Sequence, residues 1–233
     1  MIDIGSGRQV FATCEGDGSP VIILESGDES NIGQWRLVMP ELSRQARTCA
    51  YDRLGTGRSD PATGCRRLKD IRSDFEALLR ALRLRGPYVL VGTSGGGFLV
   101  AGFAVTHPQD VAGLVFVETP HAIRPASAPP ELLQELSCND PRNEERRDYV
   151  AVENEAWRNR RRLGDIPMTV ISNDYRDAAG LNAEQRTNVQ DQRGWLVLST
   201  QARQVVVTSG HDVPENEPDV VIREILRVLE AAR

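Results

Sequence analysis

The 233-residue, 25.7 kDa chain carries a net charge of −5, with 40% hydrophobic and 26% charged residues, the balance of an ordinary globular domain. An aromatic content of 5% and a negative net charge speak against nucleic acid, which favours stacking surfaces and a positive face. No apolar run reaches the roughly 18 residues of a membrane span, and the Met1–Gly5 start lacks the basic and apolar regions of a secretory signal, so the expected location is the cytoplasm.

In chain order, strands are expected at Gln9–Cys14, Val21–Glu25, Arg47–Tyr51, Tyr88–Gly92, Gly113–Val117, Met168–Ser172 and Arg203–Thr208. Several are continuous Val/Ile/Leu runs, the mark of strands buried on both faces of a parallel sheet. The first two are expected to form an antiparallel pair through the turn-forming segment Gly16–Pro20. Leu68, Ile71, Phe75, Leu78, Leu79 and Leu82 recur at helical spacing, as do Val221, Ile225, Val228 and Leu229. Alternating strands and helices predict an α/β fold with an open, helix-covered sheet. Residues 119–166 break that rhythm: prolines punctuate them and Glu144–Arg162 is densely charged. They are expected to form a small helical lid inserted into a core of residues 1–118 and 167–233. The lid charges are read as a solvated face of Glu–Arg pairs.

Cys14, Cys49, Cys65 and Cys138 include no C-x-x-C pair, so no metal site is expected. In the cytoplasm all four would be free thiols; in an exported protein Cys49 and Cys65, which flank a loop, are the pair to expect.

The chemistry concentrates in Val89-Leu90-Val91-Gly92-Thr93-Ser94-Gly95-Gly96-Gly97, followed by the apolar stretch Phe98–Val105. A strand running into G-x-S-x-G and straight into a helix is a nucleophile elbow. The serine sits in strained backbone, and the small neighbours Gly92 and Gly96 let strand and helix approach. The Gly95 amide then points to where an oxyanion would form. A serine needs a base. Of three histidines, His107 closes a helix before Pro108 and reads as structural. His121 follows a strand and is a possible pocket lining, with Gly27 and Thr93. His211, in Thr208-Ser209-Gly210-His211-Asp212, lies on a loop at a strand's C-terminal end, the ligand-binding edge of such sheets.

These segments, with Leu24-Glu25-Ser26-Gly27 and Tyr51-Asp52-Arg53-Leu54-Gly55-Thr56-Gly57-Arg58-Ser59, resemble the α/β-hydrolase superfamily over essentially the whole chain. The resemblance implies a mostly parallel, roughly eight-stranded twisted sheet with helices on both faces. It also implies a second oxyanion amide at Asp28, after a Ser26-Gly27 where many members carry His-Gly. A carboxylate there opposes a developing oxyanion unless turned away or neutralised. Dehalogenase-type and epoxide-hydrolase-type members need a carboxylate in place of Ser94. The triad acid stays open: members place it after either of two strands, which gives Glu118, or Asp174 or Asp177.

The expected activity is hydrolysis of a small ester or related acyl substrate through an acyl-enzyme on Ser94, with His211 as general base and no metal or organic cofactor. A cofactor-free perhydrolase on the same triad and a low-turnover ligand-binding protein are the alternatives. The only partner expected is a small-molecule substrate.

Overall fold

The computed structural model describes residues 1–123, 125–175 and 189–233. Strands and helices follow one another as β1 (Ile2–Asp3), β2 (Gln9–Val10), β3 (Ala12–Glu15), β4 (Val21–Glu25), α1 (Met39–Leu42), β5 (Thr48–Tyr51), α2 (Leu68–Ala81), β6 (Tyr88–Thr93), α3 (Gly96–Thr106) and β7 (Val111–Val117). Then come α4 (Pro130–Glu135), α5 (Tyr149–Asn159), β8 (Met168–Asn173), β9 (Ala202–Val207), α6 (Val213–Asn216) and α7 (Pro218–Ala231).

The main sheet has the order β3-β5-β4-β6-β7-β8-β9. All neighbours from β5 to β9 pair in parallel, and β3 is an antiparallel edge. Seven strands lie in this sheet among the described residues, where about eight were expected. All seven runs expected as strands contribute one strand each to this sheet, but the N-terminal run Gln9–Cys14 divides. Its first half pairs with β1 in a separate hairpin, and its second half is β3. β3 also does not pair with Val21–Glu25. That strand, buried at every residue, has parallel partners on both sides and no free edge to offer. The half-exposed β3 takes the outer side of β5 instead.

Alternation along the strands sends side chains to two cores. Ile23, Leu90, Leu114, Phe116 and Val170 face the α2 and α3 side, while Ile22, Val89, Val91, Val115 and Ile171 face α7. The chain runs from β4 outward to β5 on one side and from β6 toward β9 on the other. The crevice at the C-terminal ends of β4 and β6 is therefore the topological switch point, where open α/β sheets bind ligands.

Two disulfides are formed, Cys14–Cys49 and Cys65–Cys138, and no free cysteine remains. This corrects both the free thiols and the Cys49–Cys65 pairing. Cys49 sits directly opposite Cys14 in the β3–β5 register, so its nearest thiol comes from the neighbouring strand. Cys65 reaches instead into the segment between β7 and β8, which the bond ties to the start of α2.

That segment is a solvated charged face only in part: Glu144, Arg158, Arg161 and Arg162 are exposed, but others are not. α5 buries Val152 and Ala156 in the α2–α3 core. Glu145, Arg147 and Glu153 are all nearly inaccessible, at 3%, 1% and 6% exposure. Arg147 forms a bridge with Arg66, the Arg66 amide donates to the Arg146 carbonyl at 2.8 Å, and the Asp148 amide donates to the Arg66 carbonyl at 3.0 Å. This pairing holds residues 146–148 against the core.

Candidate active site

Ser94 leaves β6 at φ +48°, a left-handed conformation that a side chain adopts only at a cost. The glycines around it make this possible. A Cβ on Gly92 would overlap the backbone of Gly97, and one on Gly96 would overlap the Ser26 carbonyl. The Ser94 amide donates to the Val117 carbonyl at 2.8 Å, which sets the serine beside the end of β7. There Glu118, buried and at φ +51°, turns its carboxylate onto Nδ1 of His211.

The His211 loop is held by Asn173, the last residue of β8. Its buried amide donates to the carbonyls of Ser209 and Gly210, both at 2.9 Å, and accepts from the amides of Ser209 at 2.9 Å and Tyr175 at 3.2 Å. Tyr175, also at positive φ, places its hydroxyl 3.3 Å from His211 Nδ1. Burial and the neighbouring Glu118 push the Tyr175 hydroxyl well above the usual tyrosine range. The hydrogen bond to Glu118 raises the His211 pKa against partial desolvation. With the Nδ1–H donating to the Glu118 carboxylate, Nε2 of the neutral ring carries the lone pair.

Of the alternative acids, Asp174 accepts from Thr208 Oγ1 at 2.9 Å, and Asp177 lies outside the described residues. The described contacts of His211 Nδ1 are to Glu118 and Tyr175. Gln34 links the loop after β4 to the His211 loop. It accepts from the Gly27 amide at 3.0 Å and donates to Asp212, next to His211, at 3.2 Å.

Gly27 lies against the Ser94 side chain, where a Cβ would come within 3.3 Å of the serine Cβ. Thr93 is buried as the last residue of β6. His121 stands apart from this cluster, with Nδ1 3.5 Å from Asp191 and its ring edge-on to Trp157. Asp28 turns its carboxylate over the Cα of Gly95, into the volume a side chain at residue 95 would fill. Desolvation pushes the Asp28 carboxyl upward, opposed by Arg147, whose guanidinium pairs with it. Beneath them the buried Arg53 donates to Glu25, to the carbonyls of Ser26 and Gly27 (2.6 and 2.7 Å), and to both oxygens of Glu145 (2.7 and 2.8 Å).

Arg147, Asn173, Tyr175 and Gln34 carry no sequence signal of their own. Arg147 sits among charges of the usual solvated kind, and the others reach partners on the histidine loop 36 to 178 residues away. Among the described residues, one group of metal-ligand types lies close enough to share an ion: Cys65, Cys138 and Asp148. Both sulfurs there are consumed in the disulfide. No helix among the described residues is long and apolar enough to cross a membrane.

The family model for the alpha/beta hydrolase fold matches residues 20–160. Curated relatives include the probable transporter efuK of Hormonema carpetanum, 37% identical over 51% of this chain and 18% of that protein. They also include a 2-hydroxymuconate semialdehyde hydrolase of Pseudomonas sp. strain CF600, 33% identical over 49% of this chain and 41% of the relative. The chain thus spans less than half the length of both. Among solved structures, the enol-lactonase from Burkholderia xenovorans LB400 superposes with a TM-score of 0.78 over 99% of this chain and all of the other, at 15% identity, a likeness of fold. Sheet order, elbow and family match agree, and the chain belongs to the alpha/beta hydrolase superfamily.

Proposed function

We propose that the protein is a serine hydrolase acting on a small ester or related acyl compound, with Ser94 as nucleophile, His211 as general base and Glu118 as the triad acid. The observation that carries this reading is the Glu118 carboxylate on His211 Nδ1, at the sheet edge that also presents Ser94. His211 Nε2 takes the Ser94 proton as the hydroxyl attacks the substrate carbonyl. Glu118 holds the tautomer and stabilises the imidazolium. The amides of Gly95 and Asp28 receive the oxyanion. The protonated ring then hands its proton to the leaving group, and the same nitrogen activates the water that releases the acid. No step calls for a metal or an organic cofactor. Residues 119–166 serve as the lid over this centre, on the core of 1–118 and 167–233.

The carboxylate of Asp28 beside the oxyanion site is the feature that favours a low-turnover binding protein, and its pairing with Arg147 speaks for catalysis instead. Two disulfides suit an oxidising compartment better than the cytoplasm.

Turnover of short p-nitrophenyl esters and labelling by a fluorophosphonate probe test the reading. Both are expected for the wild type and neither for Ser94→Ala. Undiminished turnover by the folded variant would remove Ser94 from the mechanism.

A further inference from the structure

Asp28 presents a difficulty that the triad does not solve. Its amide is offered to the oxyanion, yet its own carboxylate lies over Gly95, the other donor residue. A negative charge so near works against the charge that forms during attack, and water reaches the group only in part, with 27% of the side chain exposed.

The compensating charge comes from far along the chain. One guanidinium nitrogen of Arg147 pairs with Asp28 Oδ1, and the other donates to the Gly95 carbonyl at 3.0 Å. The guanidinium thus binds both residues whose amides face the oxyanion. Only 1% of the Arg147 side chain is exposed, so this is no solvated cation that happens to lie nearby. The backbone delivers it there. Asn143 Nδ2 donates to the Arg147 carbonyl at 2.7 Å, Arg66 brackets residues 146–148, and Glu145 is fixed by Arg53 and by the Glu29 amide at 2.7 Å. The Cys65–Cys138 bond ties down the N-terminal approach to the same stretch.

We propose that Arg147 is a positioning residue for the oxyanion site, neutralising and fixing Asp28 so that the amides of Asp28 and Gly95 can collect negative charge. The inference rests on the reading of Ser94 as nucleophile. It makes residues 143–148 a fixed strap belonging to the catalytic centre rather than part of a cover that swings away.

The test compares kcat and KM for a short p-nitrophenyl ester among wild type, Arg147→Met and the double variant Arg147→Met/Asp28→Asn, with folding followed by circular dichroism. Loss of a single oxyanion donor costs about 10²–10³ in kcat, so Arg147→Met is expected to lose on the order of 10²-fold in kcat with KM little changed. Adding Asp28→Asn removes the stranded charge and keeps the backbone amide, and is expected to recover about 10-fold or more of that loss. Such recovery is what a merely structural arginine would not produce. A single variant with wild-type kcat, or a folded double variant no faster than the single, overturns the proposal. Where Arg147→Met does not fold, the double variant decides. Folded and active, it supports the proposal; folded and inactive, or itself unfolded, it overturns it in favour of a purely structural pair. Ser94→Ala runs alongside and reports separately on the nucleophile. If that control is inactive while Arg147→Met is fully active, only the Arg147 inference has failed.

Discussion

His211 meets the carboxylate of Glu118 through Nδ1, although the two residues leave strands β9 and β7, which are separated in the sheet by β8. The contact bridges a strand because Glu118 turns at positive φ and Asn173, at the end of β8, draws the His211 loop back toward it.

The first prediction concerns this pair. The Glu118 carboxylate raises the His211 pKa above its ordinary value of 6.5. A base must be unprotonated, so the acid limb of kcat/KM is expected above that value, with activity rising as pH climbs through it. Glu118→Gln removes the anion and moves the limb to lower pH. On the proposed mechanism it also lowers kcat by about 10²–10⁴, the loss of a triad acid that sets the tautomer. Asp174→Asn leaves the limb in place. A pH–rate profile in which Asp174→Asn moves the limb and Glu118→Gln does not would reassign the acid.

Asn173 makes four hydrogen bonds to the His211 and Tyr175 loops from a fully buried position. Asn173→Ala strands buried backbone donors and acceptors, and is expected to cost about 2–4 kcal/mol of stability. It should also lower kcat by releasing the loop that carries the proposed base, His211. Urea denaturation beside steady-state kinetics checks both, and an unchanged kcat would mean the loop holds its place without this clamp.

The Cys65–Cys138 bond closes a sequence separation of 73 residues. A loop of that length corresponds to about 4 kcal/mol in the chain-entropy description, and a domain of this size loses roughly 10 °C in Tm for such a change. Cys65→Ser/Cys138→Ser is expected to show that drop. Arg147 should also loosen with it, so kcat falls before the protein unfolds. Calorimetry with activity measured well below Tm separates the two effects.

Glu153 is an acid on α5 that the proposed mechanism does not use. Burial raises its pKa to about 8 from 4.5, with Asp28 nearby adding to the shift. The folded state therefore holds a proton that the unfolded chain releases above about pH 4.5. The stability linked to this group is fully present below pH 4.5 and declines as pH rises toward 8, by up to roughly 4 kcal/mol. Glu153→Gln cannot ionise, so its advantage over wild type in urea midpoint is expected to be larger at pH 8 than at pH 5. An equal difference at both values would show that Glu153 is already ionised in the folded protein.

What was legible in the sequence is what local backbone chemistry determines. The elbow needs a small residue at Gly92 because a strand and helix meet there, and that requirement is written within a few positions of Ser94. The central strands are legible for the same reason: continuous Val/Ile/Leu runs have no stable place except between two helical layers. Glu118 and Asp174 could not be separated that way, since each ends a strand and only loop geometry decides which carboxylate meets the imidazole. The charged stretch around Arg147 misled for a related reason, because burial of a charge depends on a partner that sequence spacing does not reveal.

Sequence alone therefore determined the serine elbow, the histidine loop and the layered α/β plan, features whose residue patterns are written in single short segments. Tertiary structure decided which carboxylate meets His211, which cysteines join and how Asp28 is neutralised. Those outcomes rest on contacts between residues 35 to 119 positions apart, where packing and not local propensity chooses the partner.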